Sequence, residues 1–421
     1  MAPVKGVLLA HTNFPLYTVQ SLDERHFLVA GGGGQAKTGV ANAVEIHEVK
    51  ASKQGVQSVA VCRHETGTHA VMNCASFYDG RHHHLATGED ELCRSYSVKY
   101  KVVTPTKAEK ADTDKANGTA TRQRKGEKAT DDGTANGSAQ KQKQLTFQIE
   151  GTGEVATDFS SDGGFQKCVR FFPDFSQLVT GGGDGHVRVW KYPDFKKVLD
   201  IHAHKNEIDD LDVSPDGSKI ITVSRDTNGS VWNAKDGKKI TDLVWNQKTD
   251  GAYRFRACRY GLIEGKKDKY NIYSVNIPVT RSAKNQCFIS LWDCGKFSIK
   301  KTAKTGSEVI SSFTVSKEGV YLGVGTISGS VAVYISFSLQ KLYMVKEAHS
   351  IFVTGVEFMP SSEAARAVTG DQDFNLLSIS ADNTVRLHQC PERTFINPVW
   401  PILALIAIIY FLFSMMADMG L

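Results

Sequence analysis

Four consecutive glycines, Gly31, Gly32, Gly33 and Gly34, are followed by Gln35, Ala36, Lys37, Thr38, Gly39, Val40, Ala41 and Asn42. The run has the composition of a phosphate cradle and nearly its spelling. A P-loop takes Gly, four residues, Gly-Lys, and then Ser or Thr. Counting on from Gly31 leads to Ala36-Lys37-Thr38, so the second obligatory glycine is missing. The context departs further. A P-loop feeds the N-terminus of a helix, whose unpaired N–H groups and dipole hold the phosphates. Here Gly39 intervenes, and the alternating Val44 and Ile46 then read as a strand. The dinucleotide fingerprint fails for want of the same helix.

Other candidates for chemistry are few. No Gly-x-Ser-x-Gly elbow and no His-Glu-x-x-His pair occurs, which argues against the commoner hydrolases. His82-His83-His84 could suggest a metal cluster, but its setting after Asp79-Gly-Arg reads as an exposed turn. The eight cysteines are scattered, and no pair has zinc-ligand spacing. That pattern fits free thiols in a reducing compartment.

The elements flanking the glycines say more. A strand is legible in His26-Phe-Leu-Val-Ala30 and another in Ala43-Val-Glu-Ile-His47, separated by the excursion from Gly31 to Asn42. Hairpins close with about two to five residues. Glycine is the most expensive residue to order, so this is a poor passive connector. It suits a loop that reaches φ > 0 and presents bare peptide groups to a partner or an ion.

The flanking strand pair is one of seven similar units. Leu178-Val-Thr-Gly-Gly-Gly-Asp-Gly-His-Val-Arg-Val-Trp190 is echoed by Ile221-Thr-Val-Ser-Arg-Asp-Thr-Asn-Gly-Ser-Val-Trp232. Weaker copies lie at 85–96, 288–292, 323–334 and 377–388. Each reads strand, tight turn, strand, with an aromatic commonly closing the second strand. A period of about 40–45 residues with four strands per unit is the signature of a WD-repeat propeller. The expected fold is therefore all-β, a seven-bladed WD-repeat β-propeller. Asp184, Asp226 and Asp382 occupy the turn position that orients a histidine in such repeats, and Ser328 replaces the aspartate in the sixth. These residues, with Trp190 and Trp232, are expected to hold blades together.

Two segments stand outside the repeats. Residues 104–144 contain no Leu, Ile, Val, Met, Phe, Tyr, Trp or Cys, so they bury too little apolar surface to offset ordering entropy. They are expected to form a disordered basic insertion, 103–145, between the second and third blades. Ten Lys/Arg against six Asp/Glu over 101–145 account for most of the net charge of +5. The propeller itself is then near neutral, which argues against nucleic acid as a partner, since DNA affinity rests on cationic charge. From Thr394 to Ala417 there are 24 residues without a charge. About 20 helical residues cross a ~30 Å hydrocarbon core. A single C-terminal transmembrane helix over 394–417 is expected, leaving 418–421 as a short luminal tail. Arg386 and Arg393 before the span keep the N-terminal bulk cytosolic by the positive-inside rule. The propeller blades would then fill 1–102 (blades one and two) and 146–393 (blades three to seven).

This combination, with Asn13-Phe-Pro-Leu-Tyr17 near the start and Ile351-Phe-Val-Thr-Gly-Val356 in the last blade, resembles a known family. It is similar to the endoplasmic-reticulum guanine-nucleotide exchange factors for the small GTPase that starts COPII coat assembly, the prolactin regulatory element-binding protein family. The resemblance implies a cytosolic propeller anchored in the endoplasmic-reticulum membrane. It implies a loop, Gly31 to Asn42, that binds a potassium ion and contacts the GTPase, with Asn42 important for exchange. The ion's ligands would fall within Gly31, Gly32, Gly33, Gly34, Gly39 and Asn42. Exchange of this kind needs no covalent chemistry. The GTPase, and beyond it other coat-assembly factors, are the implied partners. Two rival readings differ in class: a membrane-tethered scaffold without exchange activity, and a DNA-binding transcriptional regulator.

Overall fold

The computed structural model describes residues 5–36, 39–53, 55–103, 144–161, 163–280, 282, 284–391 and 399–418. Seven four-stranded antiparallel sheets stand in a ring, as the repeats require. Blade 1 comprises Leu16–Ser21, His26–Gly31, Ala43–Ser52 and Gly55–Glu65, counted from the central channel outward. Blade 2 comprises Asn73–Tyr78, His83–Glu89, Leu92–Val103 and Gln144–Ala156. Blades 3 to 6 fill 166–202, 208–242, 253–306 and 310–345. Blade 7 comprises Val353–Phe358, Gln372–Ser380 and Thr384–Pro391, and its outermost strand is Val7–His11.

Six of the seven sequence repeats span the second and third strands of a blade, and the copy at 288–292 lies on the third strand of blade 5 alone. Those strands are buried almost continuously over their paired core because both of their faces are covered by neighbouring blades. His26–Gly31 is buried from Phe27 onward and Lys219–Ser224 from Ile220 onward. The core is accordingly divided into layers between blades. One layer joins Leu28, Ala30, Val44 and Ile46 of blade 1 to Cys74, Leu85 and Tyr96 of blade 2. Trp190 and Trp232 lie in such layers, as expected, between blades 2 and 3 and between blades 3 and 4.

Two boundaries differ from the sequence reading. Val7–His11 does not open blade 1; it pairs with Thr384–Pro391, Val7 opposite Leu387 and His11 opposite Thr384. The two ends of the propeller thus share one sheet, which closes the ring by completing blade 7 with the first strand of the chain. The basic segment 104–143, which lies outside the described residues, does not separate blades 2 and 3. Gln144–Ala156 pairs along the whole of Leu92–Val103, so the segment connects the third and fourth strands of blade 2.

The C-terminal helix Val399–Asp418 occupies the uncharged stretch. Its described side chains, 401–416, are all exposed. Among the described residues no helix is long and apolar enough to cross a membrane.

Candidate functional site

In a blade whose strands alternate in direction, the turn between the second and third strands emerges on the same face as the connection to the next blade. The glycine loop is that turn in blade 1. Its neighbours on this face are the connection 66–72, the Asp90–Glu91 turn of blade 2 and the connection 157–165. No helix follows the loop; the chain returns directly into Ala43–Ser52, with Gly31 opposite Ala43 as the last pair. The phosphate-cradle reading is excluded by that geometry.

The glycines divide into two kinds. At Gly31 and Gly32 the backbone is crowded. A Cβ on Gly31 would lie 2.0 Å from the Pro15 carbonyl oxygen, and one on Gly32 would lie 2.1 Å from Asn42 Oδ1. Gly32 also has φ +142°, and its N–H donates to the Pro15 carbonyl at 3.0 Å. At Gly34 and Gly39 the space is open, but φ is +72° and +78°. The first pair permits close approach; the second turns the chain.

Asn42 closes the neck of the loop. It is 5% exposed. Its Oδ1 accepts from the Gly34 N–H at 2.8 Å, while Nδ2 donates to the carbonyls of Gly34 (3.1 Å) and Gly67 (2.9 Å). The Asn42 carbonyl accepts from the Thr66 N–H at 3.0 Å. The side-chain amide therefore exchanges a reciprocal pair with Gly34, as one peptide does with another in a ladder, and adds a bond to the neighbouring connection. Its direction is inward. Asn42 supports the loop from beneath and does not present its amide to a visiting molecule.

Beyond the neck, Gln35, Ala36, Gly39 and Val40 are exposed and Gly33, Gly34 and Ala41 half-buried; Lys37 and Thr38 lie outside the described residues. Gln35 Nε2 donates to Asp90 Oδ2 at 3.0 Å. The same oxygen is 2.8 Å from His69 Nδ1. Sequence reasoning missed this contact, although Asp90 holds the repeat's turn position and His69 precedes the inner strand of blade 2. The signal was available in the repeat alignment.

Among the described residues no cluster of His, Cys, Asp or Glu is placed to hold a metal ion. Residues 31–42 contain no acid at all. Their oxygens are neutral carbonyls, which suit a large, weakly hydrated monovalent cation and not a divalent or transition metal.

The remaining candidates are structural. In blade 4, His204 Nδ1 lies 3.1 Å from Asp226 and its Nε2 is 2.8 Å from Thr222 Oγ1, which also accepts from the Trp232 indole at 2.9 Å. Burial would raise the Asp226 carboxyl but is outweighed by the Asn228 backbone N–H and by His204, so it sits below its usual range. His349 and Asp382 repeat the contact in blade 7 at 3.3 Å, with His388 in place of the aromatic. Asp184 corrects the expectation. It orients no histidine ring and instead receives Arg188 Nη2 at 2.8 Å and the Phe159 N–H at 3.3 Å. Ser328 bonds Glu308. The histidine run is also no exposed turn: His83 is 3% exposed, and His84 lies between Asp79 (2.9 Å) and the Tyr192 hydroxyl (3.0 Å).

A closed propeller that carries one supported, side-chain-poor loop on a single face belongs to the WD-repeat class of interaction proteins. The WD domain, G-beta repeat family matches residues 153–191 and 195–233, each match taking the last strand of one blade with the first three of the next. The chain is 38% identical over 407 residues to the guanine nucleotide-exchange factor SEC12 of Rattus norvegicus, covering 95% of this chain and 94% of the relative. The Mus musculus protein of that name gives the same identity and coverage. SEC12-like protein 2 of Arabidopsis thaliana is 24% identical over 241 residues, 55% of this chain and 53% of its own length. The chain belongs to the SEC12 family of guanine nucleotide-exchange factors.

Proposed function

We propose that this protein speeds nucleotide exchange on the small GTPase that initiates COPII coat assembly, at the endoplasmic-reticulum membrane, through the loop Gly31–Asn42. The observation that carries the reading is a projecting loop with bare peptide groups whose neck is fixed by one buried amide. Such a loop offers carbonyls and N–H groups in a set geometry, with little side-chain bulk to obstruct close approach. Exchange follows from differential binding. A protein that holds the nucleotide-free GTPase better than the loaded one weakens nucleotide affinity by the same factor. GTP then displaces it. No covalent step is involved.

Asn42 acts in this scheme as a positioning residue, holding Gly34 so that the peptides beyond it meet the partner. A potassium ion fits the neutral donor set and would stiffen the loop when bound. Its ligands would come from the oxygens of Gly31, Gly32, Gly33, Gly34, Gly39 and Asn42. Asn42 Oδ1 already accepts from the Gly34 N–H and the Gly34 carbonyl from Asn42 Nδ2, which shifts the assignment toward Gly32, Gly33 and Gly39.

A C-terminal anchor over 394–417 completes the proposal. The stretch carries no charge, and exposed apolar side chains lie on every side of the helix between 402 and 413, Ile402, Leu403, Ile408 and Phe411 each being 50% exposed or more. Anchoring would confine loading to the membrane where the GTPase works. The test is GDP release from the purified GTPase by the full chain in vesicles. Asn42→Ala is expected to lower the rate at least tenfold; release as fast as with the unmodified protein would remove Asn42 from the mechanism.

A further inference from the structure

The Asn42 amide fixes only the neck of the loop. Gln35 needs a second point of attachment, because Gly34 before it sits in open space and gives the chain no steric guide. We infer that Asp90 of blade 2 is that attachment, a second positioning residue that sets the loop's exchange-competent form through Gln35. This rests on the function proposed above.

The geometry is specific. Asp90 Oδ2 takes the Gln35 amide at 3.0 Å and faces His69 Nδ1 at 2.8 Å. Asp90 itself sits at φ +54° in a two-residue turn, a conformation that aspartate tolerates better than bulkier residues. That turn is clamped from the far side. The Gln166 N–H donates to the Asp90 carbonyl at 2.6 Å, and the Thr157 N–H donates to the Glu91 carbonyl at 2.8 Å. The carboxylate is therefore carried on a backbone that cannot follow the loop if the loop moves. Equivalent turn aspartates in blades 4 and 7 bond a histidine and its neighbouring backbone within their own blade structure. Asp90 keeps its histidine and gives the same oxygen to the neighbouring blade's loop. A structural residue of the repeat has been drawn into the site.

Gln35 is exposed, so changing it tests the tether without disturbing a core. Gln35→Glu places two carboxylates at the 3.0 Å contact and pushes the tip away. In Gln35→Glu/Asp90→Asn the roles reverse: the new asparagine amide donates to the new glutamate, and the contact is remade. Each protein is measured as full chain in vesicles, by GDP release and by hydrogen exchange at the Gly34 and Gln35 amides. The single variant is expected to lose about tenfold in the maximal rate of release, with faster amide exchange at the tip, and the double variant to regain most of both. Gln35→Glu matching the unmodified protein in both readouts overturns the inference, as does a double variant no better than the single. Absence of GDP release by the unmodified protein would instead defeat the functional proposal, which keeps the two failures distinct.

Discussion

Gly32→Ala is the sharpest perturbation of the loop. The added methyl would sit 2.1 Å from Asn42 Oδ1 and 2.6 Å from Asn42 Cα, at φ +142°. Neither contact is tolerable, and the backbone angle is strained for any L side chain at about 1–3 kcal/mol. The neck relaxes only if the backbone at Asn42 moves away from residue 32, and that movement carries the Asn42 side chain out of its pocket. Three hydrogen bonds then go, each with a net contribution of about 1 kcal/mol. The combined penalty against the closed loop is about 4–6 kcal/mol, roughly a thousandfold to ten-thousandfold in its population at about 1.4 kcal/mol per decade. The blade layers are untouched, so the loop opens locally and global stability changes little. GDP release on the GTPase is expected to fall at least tenfold, with the denaturation midpoint nearly unmoved. Gly34→Ala is the matched control, since nothing lies within 4 Å of its Cβ and only the turn conformation is strained. Full exchange activity in Gly32→Ala would refute the view that Asn42 holds the loop, and a collapse of global stability would refute its independence from the propeller.

Three further outcomes are expected. His388 is buried and its imidazole is lowered to about 3, by burial first and then by the charges of His349 and Arg386. The unfolded chain takes up this proton near pH 6.5, so stability is complete above that value and declines as pH falls from about 6.5 toward 3. At pH 5.5 the loss from this group is about 1.4 kcal/mol, and His388→Gln, measured by denaturant midpoint at pH 7.5 and 5.5, should remove that share of the pH dependence. Asp226→Ala strips the buried His204 of its carboxylate and is expected to destabilise the fold by about 2 kcal/mol while leaving GDP release per folded molecule unaltered; a selective loss of release would give blade 4 a part in the site. Replacing potassium with lithium should slow release and speed amide exchange at Gly34, and indifference of both would remove the ion from the loop.

The fold was legible in the sequence where burial is two-sided. Second and third strands such as Gln177–Gly182 and His186–Lys191 are buried almost throughout, and their Leu, Val and Trp residues around a tight turn announce them. Fourth strands do not. Gly55–Glu65 and Lys196–His202 are largely exposed along their length, so selection for burial leaves no pattern on them. The expectation of an insertion at 103–145 between blades has this origin: Gln144–Ala156 is the outer strand of blade 2, and residues 151–154 along it are exposed. The pairing of Val7–His11 was hidden for a different reason. Its partner is more than 370 residues away, and no local periodicity encodes such closure. In the site, the glycines could be read because backbone geometry selects residue type directly, whereas Asn42 was reached only through the family resemblance, since its bonds to Gly34 and Gly67 leave no local pattern. The tether to Asp90 joins side chains from two blades, which requires the ring to be assembled before it exists.

The loop combines two demands that ordinarily conflict. Bare peptide groups require glycine, and glycine maximises the entropy lost on ordering, about 1–2 kcal/mol per residue. No apolar face is available to offset that loss, because the tip must remain exposed to meet a partner. Order has to come from a few polar contacts of high yield. One buried asparagine satisfies two carbonyls and an N–H, and one aspartate on a clamped turn holds the tip. Both act on the same closing equilibrium, as would a bound cation. Restraints that share one equilibrium are coupled, and their effects on removal do not add. Once Gly32→Ala has opened the neck, Gln35→Glu has little left to disrupt, so the double variant should release GDP scarcely more slowly than the worse single. Additive losses would mean that neck and tip contact the partner separately, and that the loop is not one device.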